Sequence, residues 1–148
     1  MSTIADFMTR HPVTVGPQDS VQRAAELMDT LNVGSLPVCL GQRLVGIVTD
    51  RDITVRATAA GLDPLVTEVQ AVMSHRVRCC SEQETAEAVL HQMASVQIRR
   101  LPVVDQAHQL VGIVSLGDMA SRRREGVHEA LRRISTPSEP DRAALAAA

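Results

Sequence analysis

A chain of 148 residues with 45% hydrophobic and 22% charged side chains has room for one ordinary domain, or for two small units that share a core. Its net charge of −2 offers no field for a polyanion, and one Phe with no Trp or Tyr leaves no stacking platform for bases, so no nucleic-acid partner is expected. All fifteen basic residues are Arg, which excludes Schiff-base and P-loop lysine chemistry.

In chain order, Pro12-Val13-Thr14-Val15 predicts a short extended segment. Asp19 or Ser20 then offers an N-cap for a helix whose apolar face is Val21, Ala24, Ala25 and Met28. LPVCL, Leu36 to Leu40, predicts a strand that tolerates Pro at its start. Gly41-Gln42 is a turn, and LVGIV, Leu44 to Val48, is a second strand, continuously apolar as buried strands are. A helix from near Arg51 ends by Gly61, and Leu62-Asp63-Pro64-Leu65 breaks the chain. The order then recurs. Val77 to Cys80 is extended, Ser81 and Glu84 suggest a capping box, and Ala86, Val89, Leu90 and Met93 form a helix face. Leu101 to Val104 and Leu110 to Val114 are strands around a turn at Gln106 to Gln109, and a helix from near Gly117 ends by Gly126. Val127 to Ile134 predicts a short extra helix, Ser135 to Pro140 a loop, and Ala143 to Ala148 a low-complexity end with weak order.

The recurrence is in register. Shifting the chain by 65 residues places Ile4–Thr9 on Val69–Ser74, Met28 on Met93, and Leu36-Pro37-Val38 on Leu101-Pro102-Val103. With one extra residue in the turn near Gln106, Gly46 falls on Gly112 and Asp52 on Asp118. The expected organisation is a first repeat at 1–61, a linker at 62–68, a second repeat at 69–126, and a C-terminal helix with a weakly ordered tail at 127–148. The fold class is α/β (α+β): two tandem β-α-β-β-α repeats. A unit of about 55 residues buries too little surface to stand alone, so two copies packed sheet to sheet would share a core.

GIVTDRD at 46–52 and GIVSLGD at 112–118 resemble the G-h-h-[TS]-x-x-D signature of CBS domains, named after cystathionine β-synthase. VGSLP at 33–37, IRRLP at 98–102 and the initial DFMTRHPVTV are similar to other parts of that family's pattern. The resemblance covers about residues 1–125, and two complete copies in register have the order of a CBS pair, or Bateman module. It implies a pseudo-twofold pair that binds adenosine-containing ligands, such as AMP, ADP, ATP, NAD or S-adenosylmethionine, in clefts between repeats. It also implies disc-like homodimers formed through helices. No cofactor is required by it, and similar stand-alone pairs act in signal transduction and stress response.

The residues give these expectations a chemistry. Gly46 and Gly112 allow backbone or ligand to come close. Thr49 and Ser115, at strand ends, can offer a hydroxyl to a phosphate or ribose oxygen. Asp52 and Asp118, in the following helical turn, can accept both vicinal ribose hydroxyls, much as acidic residues do in dinucleotide folds; the plainer role for either acid is a favourable charge near a helix N-terminus. Arg51 stands beside Asp52, where the second copy has Gly117, and this predicts the stronger phosphate pocket at the first motif. Arg99 and Arg100, which replace Gly34-Ser35, are the alternative phosphate ligands, serving the other pocket. The family's first strand lines the adenine pocket, which assigns Thr14 and Val15 to one site and Cys79 and Cys80 to the other.

The leading function is therefore an adenosine-nucleotide sensor that acts through a protein partner or self-association. The alternative is a constitutive dimerisation scaffold with vestigial sites. An enzyme has little support: no GxSxG, HExxH or Walker A motif occurs. Cys39, Cys79 and Cys80 are odd in number and form no CxxC, and the five histidines lie away from ligand spacing, so no metal site is expected. Cys79-Cys80 reads as packing rather than a redox pair. Arg122-Arg123-Arg124 reads as a solvated helix end. No charged-then-apolar leader opens the chain and no apolar run reaches 18 residues, so a cytoplasmic protein with reduced thiols and no membrane partner is expected.

Overall fold

The computed structural model describes residues 2–122 and 126–136. Residues 123–125, which include Arg123 and Arg124, and residues 137–148 with the low-complexity end lie outside them.

A 3₁₀ turn at Ile4–Asp6 leads into strand β1 (Thr9–Arg10). Helix α1 (Val21–Leu31) begins where Ser20 Oγ accepts the Arg23 N–H at 3.1 Å, which settles the choice between Asp19 and Ser20. Val21, Ala24 and Met28 face the core, whereas Ala25 is exposed. The helix stops at Asn32, left-handed with φ 54°, a conformation Asn tolerates better than most residues. Strands β2 (Ser35–Leu40) and β3 (Arg43–Thr49) pair antiparallel around Gly41. Helix α2 (Asp50–Asp52) continues into a π-helical stretch at Ile53–Thr58.

The second half repeats this. After a 3₁₀ turn at Val69–Ala71 come β4 (Cys80–Ser81), α3 (Ala86–Val96), β5 (Arg100–Val104), β6 (Leu110–Ser115) and α4 (Leu116–Arg122). The N-cap of α3 is Thr85, whose Oγ1 accepts the Ala88 N–H; Ser81 and Glu84 instead close the preceding turn, with Glu84 Oε2 accepting the Ser81 N–H. Helix α5 (Val127–Ile134) packs on α3, and Gln97 holds its end by donating to the carbonyls of Arg133 and Thr136. The expected first strands are short. Cys80–Ser81 pairs parallel with β5, whereas in the first half only Val15 bridges to Val38.

The segments that lead into the repeats are exchanged between the halves. Thr9 pairs with Ile113 and Arg10 with Gly112, so β1 is an edge strand of the sheet β1-β6-β5-β4. Ser74, the counterpart of Thr9, bridges to Ile47 in β3. Burial follows the same crossing. Ile4 and Phe7 belong to the core of Cys80, Val89, Met93, Leu101 and Val114, while Val69, Val72 and Met73 belong to the core of Val21, Met28, Leu36 and Val48. The halves thus form two cores, each completed by the other's lead-in segment, in place of one shared core. A small cluster of Cys39, Leu44 and Val104 joins the two hairpins.

This crossing explains the motif glycines. A Cβ on Gly46 would stand 2.9 Å from the Ser74 carbonyl oxygen and 2.6 Å from Met73 Sδ. On Gly112 it would stand 2.8 Å from the Thr9 carbonyl oxygen and 2.7 Å from Met8 Sδ. The close neighbour foreseen at these positions is the other repeat's backbone. A methionine can move aside, but a carbonyl held in strand pairing cannot do so without losing its partner. Gly46→Ala and Gly112→Ala are each expected to destabilise the fold by about 1–3 kcal/mol, as overpacking does. Urea denaturation checks this, and an unchanged midpoint in both variants would show that the crossing segments yield freely.

Candidate functional site

Each motif closes its strand onto its helix with a reciprocal pair of hydrogen bonds. Thr49 Oγ1 accepts the Asp52 N–H at 3.0 Å, and Asp52 Oδ2 accepts the Thr49 N–H at 2.9 Å. Ser115 Oγ accepts the Asp118 N–H at 3.0 Å, and Asp118 Oδ2 accepts the Ser115 N–H at 2.8 Å. These are capping boxes, with Asp in the place more often held by Glu. They hold a half-buried hydroxyl and a half-buried carboxylate side by side at the strand-to-helix corner. In the first motif Asp52 Oδ1 also lies 3.9 Å from Arg56 Nε. Arg56 in turn donates to the carbonyls of Val72 and Met73, so it pins the crossing segment of the second repeat.

A cavity of about 240 Å³ gathers Ser115, Asp118, Ile113 and Arg100 from the second half with Thr9, Pro12, Val33 and Ser35 from the first. It exists because β1 crosses to β6 and carries Thr9 and Pro12 to the second motif. A second cavity of about 430 Å³ is lined by Arg99, Arg100, Ser115, Leu116 and Gly117, and shares Arg100 and Ser115 with the first. Among the sequence-derived candidates, these hollows bring together Arg99, Arg100, Ser115 and Asp118. Thr49 and Asp52 stand together at the first motif, and Arg51 is exposed beside them, its backbone N–H donating to Asp50 Oδ1. Sequence reasoning passed over Thr9, Pro12, Val33, Ser35 and Arg56. Their roles follow from the exchange of lead-in segments, which leaves no mark in residue spacing.

The candidates from the first strands divide by depth. Thr14 is exposed and lines a further cavity of about 330 Å³ with Arg10, His11, Cys39 and Gln42, which shares Pro12 with the cavity of Asp118. Val15 and Cys80 are both 2% exposed and turned into the two cores, and Cys80 Sγ lies 3.8 Å from the Pro102 carbonyl. Cys79 packs beside Cys39, Leu44 and Val104. Burial pushes the Cys39 thiol up, and burial with the nearby Glu84 carboxylate does the same for Cys79. Cys80 is pushed up to about 12, by burial first and then by Glu84 and Cys79. Such thiols stay protonated at neutral pH, the opposite of the low-pKa setting that makes a cysteine reactive. Among the described residues no cluster of three His, Cys, Asp or Glu is placed to hold a metal, and no helix is long and apolar enough to cross a membrane.

A family model described as CBS domain matches residues 4–57 and 66–125. The CBS domain-containing protein YhcV of Bacillus subtilis is 44% identical over 137 residues, 91% of this chain and 96% of its own. Hypoxic response protein 1 of Mycobacterium tuberculosis is 35% identical over 121 residues, 81% of this chain and 84% of its own. Among solved structures, the CBS domain pair of protein MJ0100, in complex with 5-methylthioadenosine and S-adenosyl-L-methionine, superposes with a TM-score of 0.70 at 28% identity, covering 81% of this chain and 98% of its own.

Proposed function

The chain belongs to the CBS domain family as a tandem pair of repeats, and from that premise we propose a regulatory module whose cleft binds an adenosine-containing ligand of the AMP, ADP, ATP or NAD type. The observation that carries this reading is the cavity in which Ser115 and Asp118 meet Thr9, Pro12 and Ser35 of the other half. A hydroxyl and a carboxylate converge where a ribose edge can be read, and apolar Val33, Pro12 and Ile113 supply walls for a flat base. The relative MJ0100 holds two adenosine compounds in a pair of the same fold, which supports the ligand class.

Because the pocket is built from both halves, occupancy can change their relative fit, and that change is the signal passed to a protein partner or a second copy. The catalytic inventory is empty in this reading: binding is the activity. A second reading, a constitutive dimerisation scaffold, draws on exposed apolar side chains of the first half and linker, Leu31, Val55, Leu62, Leu65 and Val66. Either reading leads to a homodimer in light scattering; only the first requires a ligand.

Calorimetric titration separates them. The wild type is expected to bind AMP, ADP, ATP or NAD, and Asp118→Asn is expected to weaken binding by ~1–3 kcal/mol, because the ribose hydroxyls lose a charged acceptor. Asn retains an oxygen for the Ser115 N–H, so the cap survives and the loss is assigned to the charge. Heatless titrations with all four nucleotides would leave the scaffold.

A further inference from the structure

Corresponding helices of the two repeats end on left-handed caps. Asn32 closes α1 with φ 54°, and Gln97 closes α3 with φ 57°. Asn suits that region and Gln does not, so Gln97 holds a strained backbone that its surroundings must enforce. Its side chain shows what the surroundings are. Nε2 donates to the Arg133 carbonyl at 3.1 Å and to the Thr136 carbonyl at 2.7 Å, at the end of α5, where carbonyls run short of helical donors. The first repeat has no helix in that place: between Gly61, the counterpart of Gly126, and Val69 the chain runs through turns. Apart from this latch α5 sits lightly. Val127 and Ile134 pack against the second core, but only Ala130 is buried and Leu131 is 41% exposed. A hollow of about 290 Å³ lies between Glu129, Ala130 and Arg133 of α5 and Leu90, His91 and Ala94 of α3.

The latch adjoins the cavity of Asp118. Gln97 is followed by Ile98, whose N–H donates to the Met93 carbonyl and which packs against the second core. Next, the Arg99 carbonyl accepts the Leu116 N–H at 2.8 Å, and Arg100 opens β5 opposite Ser115 and lines the cavity. Resting on the adenosine reading above, we propose that α5 is a ligand-responsive strap: occupancy of the cavity fixes residues 97–100, Gln97 tightens its hold on the end of α5, and α5 closes over Leu90 and Ala94 of α3. Without ligand, α5 opens locally while the rest of the second repeat stays folded. The small burial of α5 makes that opening cheap, so a modest bias from the cavity is enough to shift it. The strained cap supplies the bias. It persists only while the groups on both sides of it are held, and a ligand against Arg100 and Ser115 holds one side.

Hydrogen exchange of the full chain reads the strap, with saturating ADP as the ligand. Without ADP, the amides of α5 are expected to exchange faster than those of α3. ADP is expected to slow α5 by about 5-fold or more, together with residues 112–118. Gln97→Asn keeps a residue suited to the left-handed cap but withdraws the amide from both carbonyls by one methylene. In that variant α5 is expected to exchange about 5–30-fold faster than in the wild type while α3 keeps its rate. ADP should then slow residues 112–118 without slowing α5. Unchanged exchange of α5 on adding ADP to the wild type, while residues 112–118 slow, overturns the proposal and leaves the adenosine reading standing. So does exchange of α5 in Gln97→Asn that matches the wild type. If ADP alters no segment, the adenosine reading fails and the strap's response to ligand fails with it.

Discussion

Phe7→Ala is expected to cost about 3–5 kcal/mol and to loosen the second repeat, although Phe7 belongs to the first. Phe7 is the only aromatic residue of the chain and 7% exposed, packed among residues of α3, β5 and β6. The segment before it is anchored there too, since the Ile4 N–H donates to the Glu84 carbonyl and the Ala5 N–H to the Glu82 carbonyl. Truncating the ring opens a cavity in that core and frees β1 from β6. Hydrogen exchange reads the location of the damage. Protection is expected to fall in α3 and β6, while α1 keeps its own. Faster exchange in α1 with α3 unaffected would mean that Phe7 serves its own repeat, and the crossing would be wrong.

Between about pH 9 and pH 12 the protein is expected to lose roughly 4 kcal/mol of stability through Cys80 alone. The sign follows from the thiol's raised value. An unfolded cysteine ionises at its ordinary 9.0, while folded Cys80 holds its proton to about 12. The contribution is therefore complete below pH 9 and disappears as pH rises toward 12. Cys39 and Cys79 are raised as well and act in the same direction. Composition makes the measurement unusually clean, because the chain has no Lys and no Tyr. Only the thiols titrate through most of that window, with the α-amino group below it and Arg above. Urea midpoints measured from pH 8.5 to 11 should decline steeply in the wild type and much less in Cys80→Ala. Parallel declines would show that the Cys80 thiolate is not disfavoured by the fold.

Much of the architecture was legible because local chemistry dictates it. Val21, Ala24 and Met28 mark a buried helix face by spacing alone, and the apolar runs around Gly46 and Gly112 mark buried strands. Thr49 with Asp52 and Ser115 with Asp118 were legible as pairs that meet at a strand-to-helix corner. Other features were not. Ser81 and Glu84 imitate a capping box, yet the helix begins only after Thr85, whose hydroxyl does the capping. In Pro12–Val15 the pattern suggested a strand, but only Val15 is buried and Val13 is 44% exposed, since a single bridge replaces a ladder. The exchange of lead-in segments is a tertiary choice. Ile4 and Phe7 look equally apolar whichever core receives them, so spacing could not reveal that Thr9 and Pro12 belong to the pocket of Asp118. Arg51 was weighed by its neighbours in sequence, while Arg99 and Arg100 reach the hollow at the start of β5, through its pairing with β6.

Hydrogen exchange of the full chain with and without saturating ADP reads whether the binding site is assembled from both repeats. Joint protection of residues 9–12 and residues 112–118 is expected, two segments far apart in sequence that pair as β1 and β6 and together line the cavity of Ser115 and Asp118. Protection confined to one of the two segments, or absent from both while ADP is bound, would contradict that assembly.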